Sequence, residues 1–176
     1  ADSALIVIDM QERLVPAMQA PARCIRNTRN LIAAARELEI PVLLTEQYPA
    51  GLGRTVPDIA KAASVHPGAR TIEKLRFSCM AEPAFADAFH GLGRRQAVIA
   101  GMEAHICVVQ TAASLIEEGY EVFVVSDATA SRTLESEQAC LARLNASGIG
   151  IVTTEMVVFE WLGLAGTPAF KKLLPL

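Results

Sequence analysis

The strongest constraint on this chain is a repeated alternation of short, continuous apolar runs with segments of helical periodicity. ALIVID (4–9), PVLLT (41–45), QAVIAG (96–101), EVFVVSD (121–127) and GIVTT (150–154) read as strands, and ARTIEK (69–74) as a shorter one. Runs apolar on successive residues suit strands covered on both faces, as in a parallel sheet. Between them, Ile25, Leu31, Ile32, Ala35 and Leu38 recur at helical spacing after Pro21. Segments 82–93, 106–118 and 134–148 also read as helices, with Gly91, Gly119 and Gly148 near their stops. Such alternation implies an α/β fold with right-handed crossovers and helices on both faces of a parallel sheet. Ligands of such sheets bind outside the carboxyl ends of the strands.

The length of 176 residues fits one domain spanning 1–176. Only 5% of residues are aromatic against 52% hydrophobic, so aliphatic side chains must build the core. A net charge of −3 and no basic run with interleaved aromatics argue against a nucleic-acid partner. ADSALIVIDM has no basic segment before its apolar run, which Asp9 ends after five residues, so it reads as neither signal peptide nor membrane span. Cys24, Cys79, Cys107 and Cys140 form no CxxC pair, which suits a cytoplasmic protein with reduced thiols. GLG at 51–53 and 91–93 lacks the third glycine of a dinucleotide fingerprint, and no cofactor is expected. Segment 46–58, rich in Gly and Pro, reads as a long loop serving a site.

Three chemically capable residues fall at or just beyond strand ends: Asp9, Lys74 and Cys107. In a parallel sheet all three share one edge. Each has a bland reading: Asp9 as a turn cap, Lys74 as a solvated cation, Cys107 as a small core filler. Together they make a base, a cation and a nucleophile, the set that covalent catalysis requires. Placing Cys107 at a helix start also leads us to expect a lowered thiol pKa, from unpaired N–H groups and the helix dipole.

IVIDMQERL, EKLRFS and GMEAHICVVQTA resemble the isochorismatase-like cysteine hydrolase family. TEQYPAGLGRTVP and VSDATASR resemble its metal-free subgroup, the isochorismatase domain-containing proteins. The resemblance runs from about residue 4 to about 160 and implies a doubly wound, Rossmann-like sheet of six parallel strands. It implies Cys107 as nucleophile, Asp9 as general base and Lys74 as the cation holding Asp9 ionised. It also implies an oxyanion hole from the N–H groups of Cys107 and the preceding 103–106 segment, including Glu103 and Ile106, and a cis peptide at Met102–Glu103. Nicotinamidases of this fold bind a metal after the second strand, where this chain reads Thr45-Glu46-Gln47-Tyr48-Pro49 with no His before His66, so no metal is expected. Gln47 and Tyr48 are candidate substrate contacts or loop-packing residues. True isochorismatases lack the cysteine, so Cys107 favours hydrolysis of a C–N bond.

His105 is expected to line the pocket rather than form a dyad with Cys107, because i and i+2 do not share a helical face. Glu103 is expected either at the site or in solvent. Cys79 could approach the site, while Cys24 and Cys140 read as core fillers. The leading expectation is an amide hydrolase with a small-molecule substrate, in a homo-oligomer; Trp161 and a final helix near 168–174 are apolar enough to cover the sheet or to meet another subunit. Two alternatives stand beside it: a catalytically weak scaffold or regulator, and a redox-sensing cysteine protein.

Overall fold

The computed structural model describes residues 2–175. In chain order the elements are β1 (Ser3–Ile8), α1 (Pro21–Glu37), β2 (Val42–Gln47), the single turn α2 (Pro49–Leu52) and α3 (Pro57–Ser64). β3 (Ala69–Lys74), α4 (Pro83–His90), β4 (Gln96–Met102), α5 (Val109–Glu117) and β5 (Glu121–Ala130) follow. The chain closes through α6 (Leu134–Ala146), β6 (Gly150–Val152), α7 (Thr154–Leu162) and α8 (Pro168–Leu173). The strands form one six-stranded sheet in the order β3-β2-β1-β4-β5-β6, every pairing parallel. The expected doubly wound α/β sheet is therefore what the chain forms.

β1 shows why its run is apolar throughout. Ala4, Ile6 and Ile8 enter a core shared with Phe85, Phe89, Val108, Ala112, Leu115 and Leu144 of α4, α5, α6 and the turn before α5. Leu5 and Val7 enter the opposite core, with Leu31, Ile32 and Ala35 of α1, Ile59 of α3 and Val157 of α7. Side chains alternate across a strand, so both registers must be apolar when both faces are covered. The chain leaves β1 toward β2 and β3 through helices on one face, then crosses to β4 through α4 on the other. The reversal opens a crevice between the carboxyl ends of β1 and β4, where such sheets bind ligands.

Several boundaries differ from expectation. Segment 46–58 is not a plain loop: β2 runs to Gln47, α2 fills one turn and α3 begins at Pro57. Gln11 anchors this stretch, with Nε2 donating to the carbonyls of Gln47 (3.0 Å) and Gly53 (2.8 Å). The helix expected from 106 is instead a π-helical turn, Ala104–Val108, followed by α5. β5 continues to Ala130 and β6 stops at Val152, after which Thr153 caps α7 through the Met156 N–H. Gly101 sits at φ +118°, where a Cβ would lie 2.1 Å from the Ile8 carbonyl oxygen. Only glycine allows β1 and β4 to approach so closely there.

Candidate active site

Asp9 lies one residue beyond β1 at φ +50°, a left-handed position that Asp tolerates better than most residues. Lys74 is the last residue of β3, in register with Gln47 of β2. Cys107 sits in the π-helical turn after β4, and the peptide preceding that segment, Met102–Glu103, is cis. The three side chains converge on the strand ends although 98 residues separate Asp9 from Cys107 in sequence. All are buried, with Asp9 at 0%, Lys74 at 2% and Cys107 at 5% exposure.

Lys74 Nζ donates to Asp9 Oδ2 at 2.8 Å and to Gln47 Oε1 at 2.6 Å. It also meets the carbonyls of Arg76 (3.2 Å) and Phe77 (3.3 Å). Thr45 Oγ1 donates to Asp9 Oδ1 at 2.7 Å. Cys107 completes the set, near enough to Asp9 and Lys74 for the charge of each to act on its thiol. Burial alone would lower the Lys74 pKa, but the groups facing it, Asp9 foremost, outweigh it and the ammonium is favoured.

The expected low pKa of Cys107 is overturned. Burial pushes the thiol well above its ordinary value, the Asp9 charge pushes the same way, and Lys74 only partly opposes them. The physical reason is position: Cys107 lies in a buried turn beside an anion rather than in the exposed first turn of an α-helix. The resting sulfur is a protonated thiol, which also runs against a low-pKa redox sensor.

The other expected residues divide. The side-chain amide of Gln47 is spent inside the protein, because its Nε2 donates to the Leu75 carbonyl at 2.8 Å while its Oε1 holds Lys74. It is therefore not a free substrate contact. Tyr48 is half exposed and shares a cavity of about 320 Å³ with Pro49, Ala50, Glu73, Lys74, Leu75 and Glu82. Glu103 is buried and paired through both carboxylate oxygens with Arg132 (2.7 and 2.8 Å), so it neither points to solvent nor stands free beside the thiol. His105 Nδ1 lies 2.9 Å from Ser131 Oγ, so this nitrogen is engaged away from the thiol. The Ile106 N–H donates to the Glu103 carbonyl at 3.1 Å, which commits it away from an oxyanion. Cys79 does approach: its Sγ lies 4.0 Å from Thr45 Oγ1, the hydroxyl that donates to Asp9. Cys24 and Cys140 are buried in α1 and α6, as expected of core fillers.

Thr45 and Thr111 are the residues sequence reasoning missed. Thr111 Oγ1 donates to the Cys107 carbonyl (2.7 Å) and accepts from the Cys79 N–H (3.0 Å), tying the turn to the segment after β3. Neither threonine carries a signal of its own in the sequence, where a threonine near the end of a strand or within a helix is ordinary. A wider groove of about 820 Å³ beside the site is lined by Leu75, Arg76, Phe77, Ser78, Glu82 and Gln110, among others.

The isochorismatase domain matches residues 3–156. Isochorismatase domain-containing protein 2 of Danio rerio is 37% identical over 97% of this chain and 84% of its own length. The structure of MAR1 ribonuclease from Caenorhabditis elegans superposes with a TM-score of 0.92 at 34% identity, covering 99% of this chain and 88% of that one. YcaC from Pseudomonas aeruginosa, solved with hexane-2,5-diol and covalent acrylamide, superposes with a TM-score of 0.88 at 27% identity, covering 98% and 87%. Sequence and fold thus agree across nearly the whole chain, which belongs to the isochorismatase family, a membership that supports a hydrolase-like enzyme.

Proposed function

We propose that this protein hydrolyses a small amide or related C–N substrate through a thioester on Cys107. One observation carries the reading: Asp9, Lys74 and Cys107 are buried together at the strand ends, with Lys74 gripping the Asp9 carboxylate from 2.8 Å. A thiol held protonated needs a base at the moment of attack, and Asp9 is the carboxylate placed beside it to serve. As sulfur bonds to the substrate carbonyl carbon, the thiol proton passes to Asp9 and the carbonyl oxygen takes the negative charge. Collapse of that intermediate breaks the C–N bond, and Asp9 returns the proton to the departing nitrogen. Water, deprotonated by Asp9, then attacks the thioester, releasing the acid and restoring the thiol. Lys74 keeps Asp9 anionic between these steps. Cytoplasmic location and homo-oligomeric assembly belong to the same reading.

The Pseudomonas aeruginosa relative carries covalent acrylamide, an electrophile that thiols attack by addition across its C=C bond. Acrylamide should accordingly add to Cys107 faster than to Cys24, Cys79 or Cys140. The decisive test incubates the protein with a panel of small amides and esters, following the intact mass of the protein and the release of ammonia or acid. An acyl adduct on Cys107, lost together with turnover in a folded Cys107→Ala variant, supports the mechanism. Full turnover in Cys107→Ala would sink it. So would cleavage of RNA, the activity named for the Caenorhabditis elegans relative, in the absence of any amide hydrolysis.

A further inference from the structure

We infer that β2 is a positioning strand, whose Thr45 and Gln47 lock Asp9 and Lys74 from one face of the sheet. The inference rests on the reading of Asp9 as base and Lys74 as its cation.

The geometry begins with strand periodicity. β2 lies between β1 and β3, and residues 45 and 47 point to the same side. The Asp9 N–H donates to the Thr45 carbonyl at 3.2 Å, which brings the Thr45 side chain beside Asp9. Gln47 pairs in register with Lys74. The two polar side chains of one strand thus each reach a member of the site on a different neighbouring strand.

Their hydrogen bonds leave little freedom. The Thr45 hydroxyl has one proton, and it goes to Asp9 Oδ1 at 2.7 Å while Lys74 holds Oδ2. Two donors on two oxygens fix the plane of the carboxylate. Lys74 Nζ has three protons and meets four acceptors, those of Asp9, Gln47, Arg76 and Phe77. Gln47 is itself immobilised, with its side chain donating to the Leu75 carbonyl and its backbone N–H held by Gln11 Oε1 at 2.7 Å. An amide oxygen fixed at 2.6 Å suits an ammonium and offers nothing to a substrate. The titratable groups facing this centre are Asp9 from β1, Lys74 from β3, Cys107, and Cys79 from the segment after β3.

The test needs no substrate. Iodoacetamide alkylates a thiol with loss of iodide and a proton, and the intact mass reports the rate at Cys107 across pH. Thr45→Val keeps the shape of the side chain but removes its donor, Thr45→Ser retains the donor, and Gln47→Leu removes the acceptor. Losing one hydrogen bond to a charged group corresponds to roughly ten- to a hundredfold. Thr45→Val and Gln47→Leu should slow Cys107 alkylation at neutral pH by at least about tenfold and displace its pH profile. Thr45→Ser should return both to wild type, which a purely structural role in the strand would not require. Where Gln47→Leu fails to fold, the Thr45→Val and Thr45→Ser pair decides alone. Variant profiles superimposable on wild type, while Asp9→Asn alters the profile, overturn the positioning role and leave the mechanism standing. An unaltered profile in Asp9→Asn overturns the mechanism and this inference with it.

Discussion

One buried ion pair and one exposed arginine, which bridges two carboxylates on neighbouring strands, differ in almost every physical respect. Lys74 and Asp9 are joined at 2.8 Å with both side chains at 0% exposure. Arg54 bridges Glu46 at 2.9 Å and Glu73 at 2.5 Å, with its own side chain 67% exposed. Desolvating two charges costs several kcal/mol per ion, so a buried pair persists only when further hydrogen bonds satisfy what remains. Thr45, Gln47 and two backbone carbonyls do this for Asp9 and Lys74. Arg54 keeps its solvent and carries no such burden, although its partner Glu46 is buried. It helps fasten the 53–55 stretch to the sheet, as does Glu46 Oε1, which accepts from the Thr55 N–H and hydroxyl. Burial pushes the Glu46 carboxyl up, but the Thr55 and Arg54 hydrogen bonds outweigh it and hold the carboxyl below its ordinary value. Loss of solvent around the cation, more than the distance between charges, separates the interior pair from the surface one.

That contrast can be broken most forcefully at Lys74. Lys74→Met leaves the Asp9 carboxylate buried without its cation and should destabilise the fold by about 3–5 kcal/mol, measured by urea unfolding, while abolishing turnover. The double variant Asp9→Asn/Lys74→Met should be less destabilised than Lys74→Met alone, yet equally inactive, because no uncompensated charge remains. If the double variant is the less stable of the two, desolvation is not the governing cost.

Alkaline pH acts next, on the same interior. Burial raises the Cys79 thiol from 9.0 to about 11, and raises Cys140 to about 11 and Cys24 to about 12. Lys74 is also raised above its ordinary 10.5, because the groups facing it, Asp9 foremost, outweigh burial. In each case the unfolded chain releases its proton at lower pH than the folded one. The stabilisation is therefore complete below about pH 9 and declines as pH rises through the folded values. Thermal melts between pH 8 and 11 should show a falling melting temperature, with a smaller fall in Cys79→Ala. The smallest effect is expected at Arg54. Arg54→Ala should lower the melting temperature only slightly, and the difference from wild type should shrink near 1 M salt, where screening acts over ~3 Å.

Much of the fold is readable from local chemistry. Continuous apolar runs in β1, β2 and β4 announce strands covered on both faces, and Pro21 and Gly119 bracket their helices well. The boundaries that escaped involve contacts remote in sequence. Segment 46–58 carries the Gly and Pro of a loop, yet Gln11, just past the end of β1, holds it against the sheet. The widening of the turn at 104–108 places its Val108 N–H on the Glu103 carbonyl at 3.2 Å, a spacing that no residue type there signals. Within the site, Asp9, Lys74 and Cys107 could be singled out because each pairs reactive chemistry with a strand end. Thr45 could not, because a threonine in a strand is ordinary until an anion is seen beside it.

The sequence by itself determined the parallel sheet, the edge on which chemistry would gather and the three reactive side chains that gather there. These follow from periodicity and residue type, which are local properties of the chain. Only the tertiary structure decided how those groups behave. Burial and the nearness of Asp9 make Cys107 a neutral thiol, where a helix start alone suggested a thiolate. Likewise Gln47 turns inward to Lys74 rather than outward to a ligand. Charge state and hydrogen-bond allegiance depend on neighbours far away in sequence, and those neighbours exist only once the sheet has assembled.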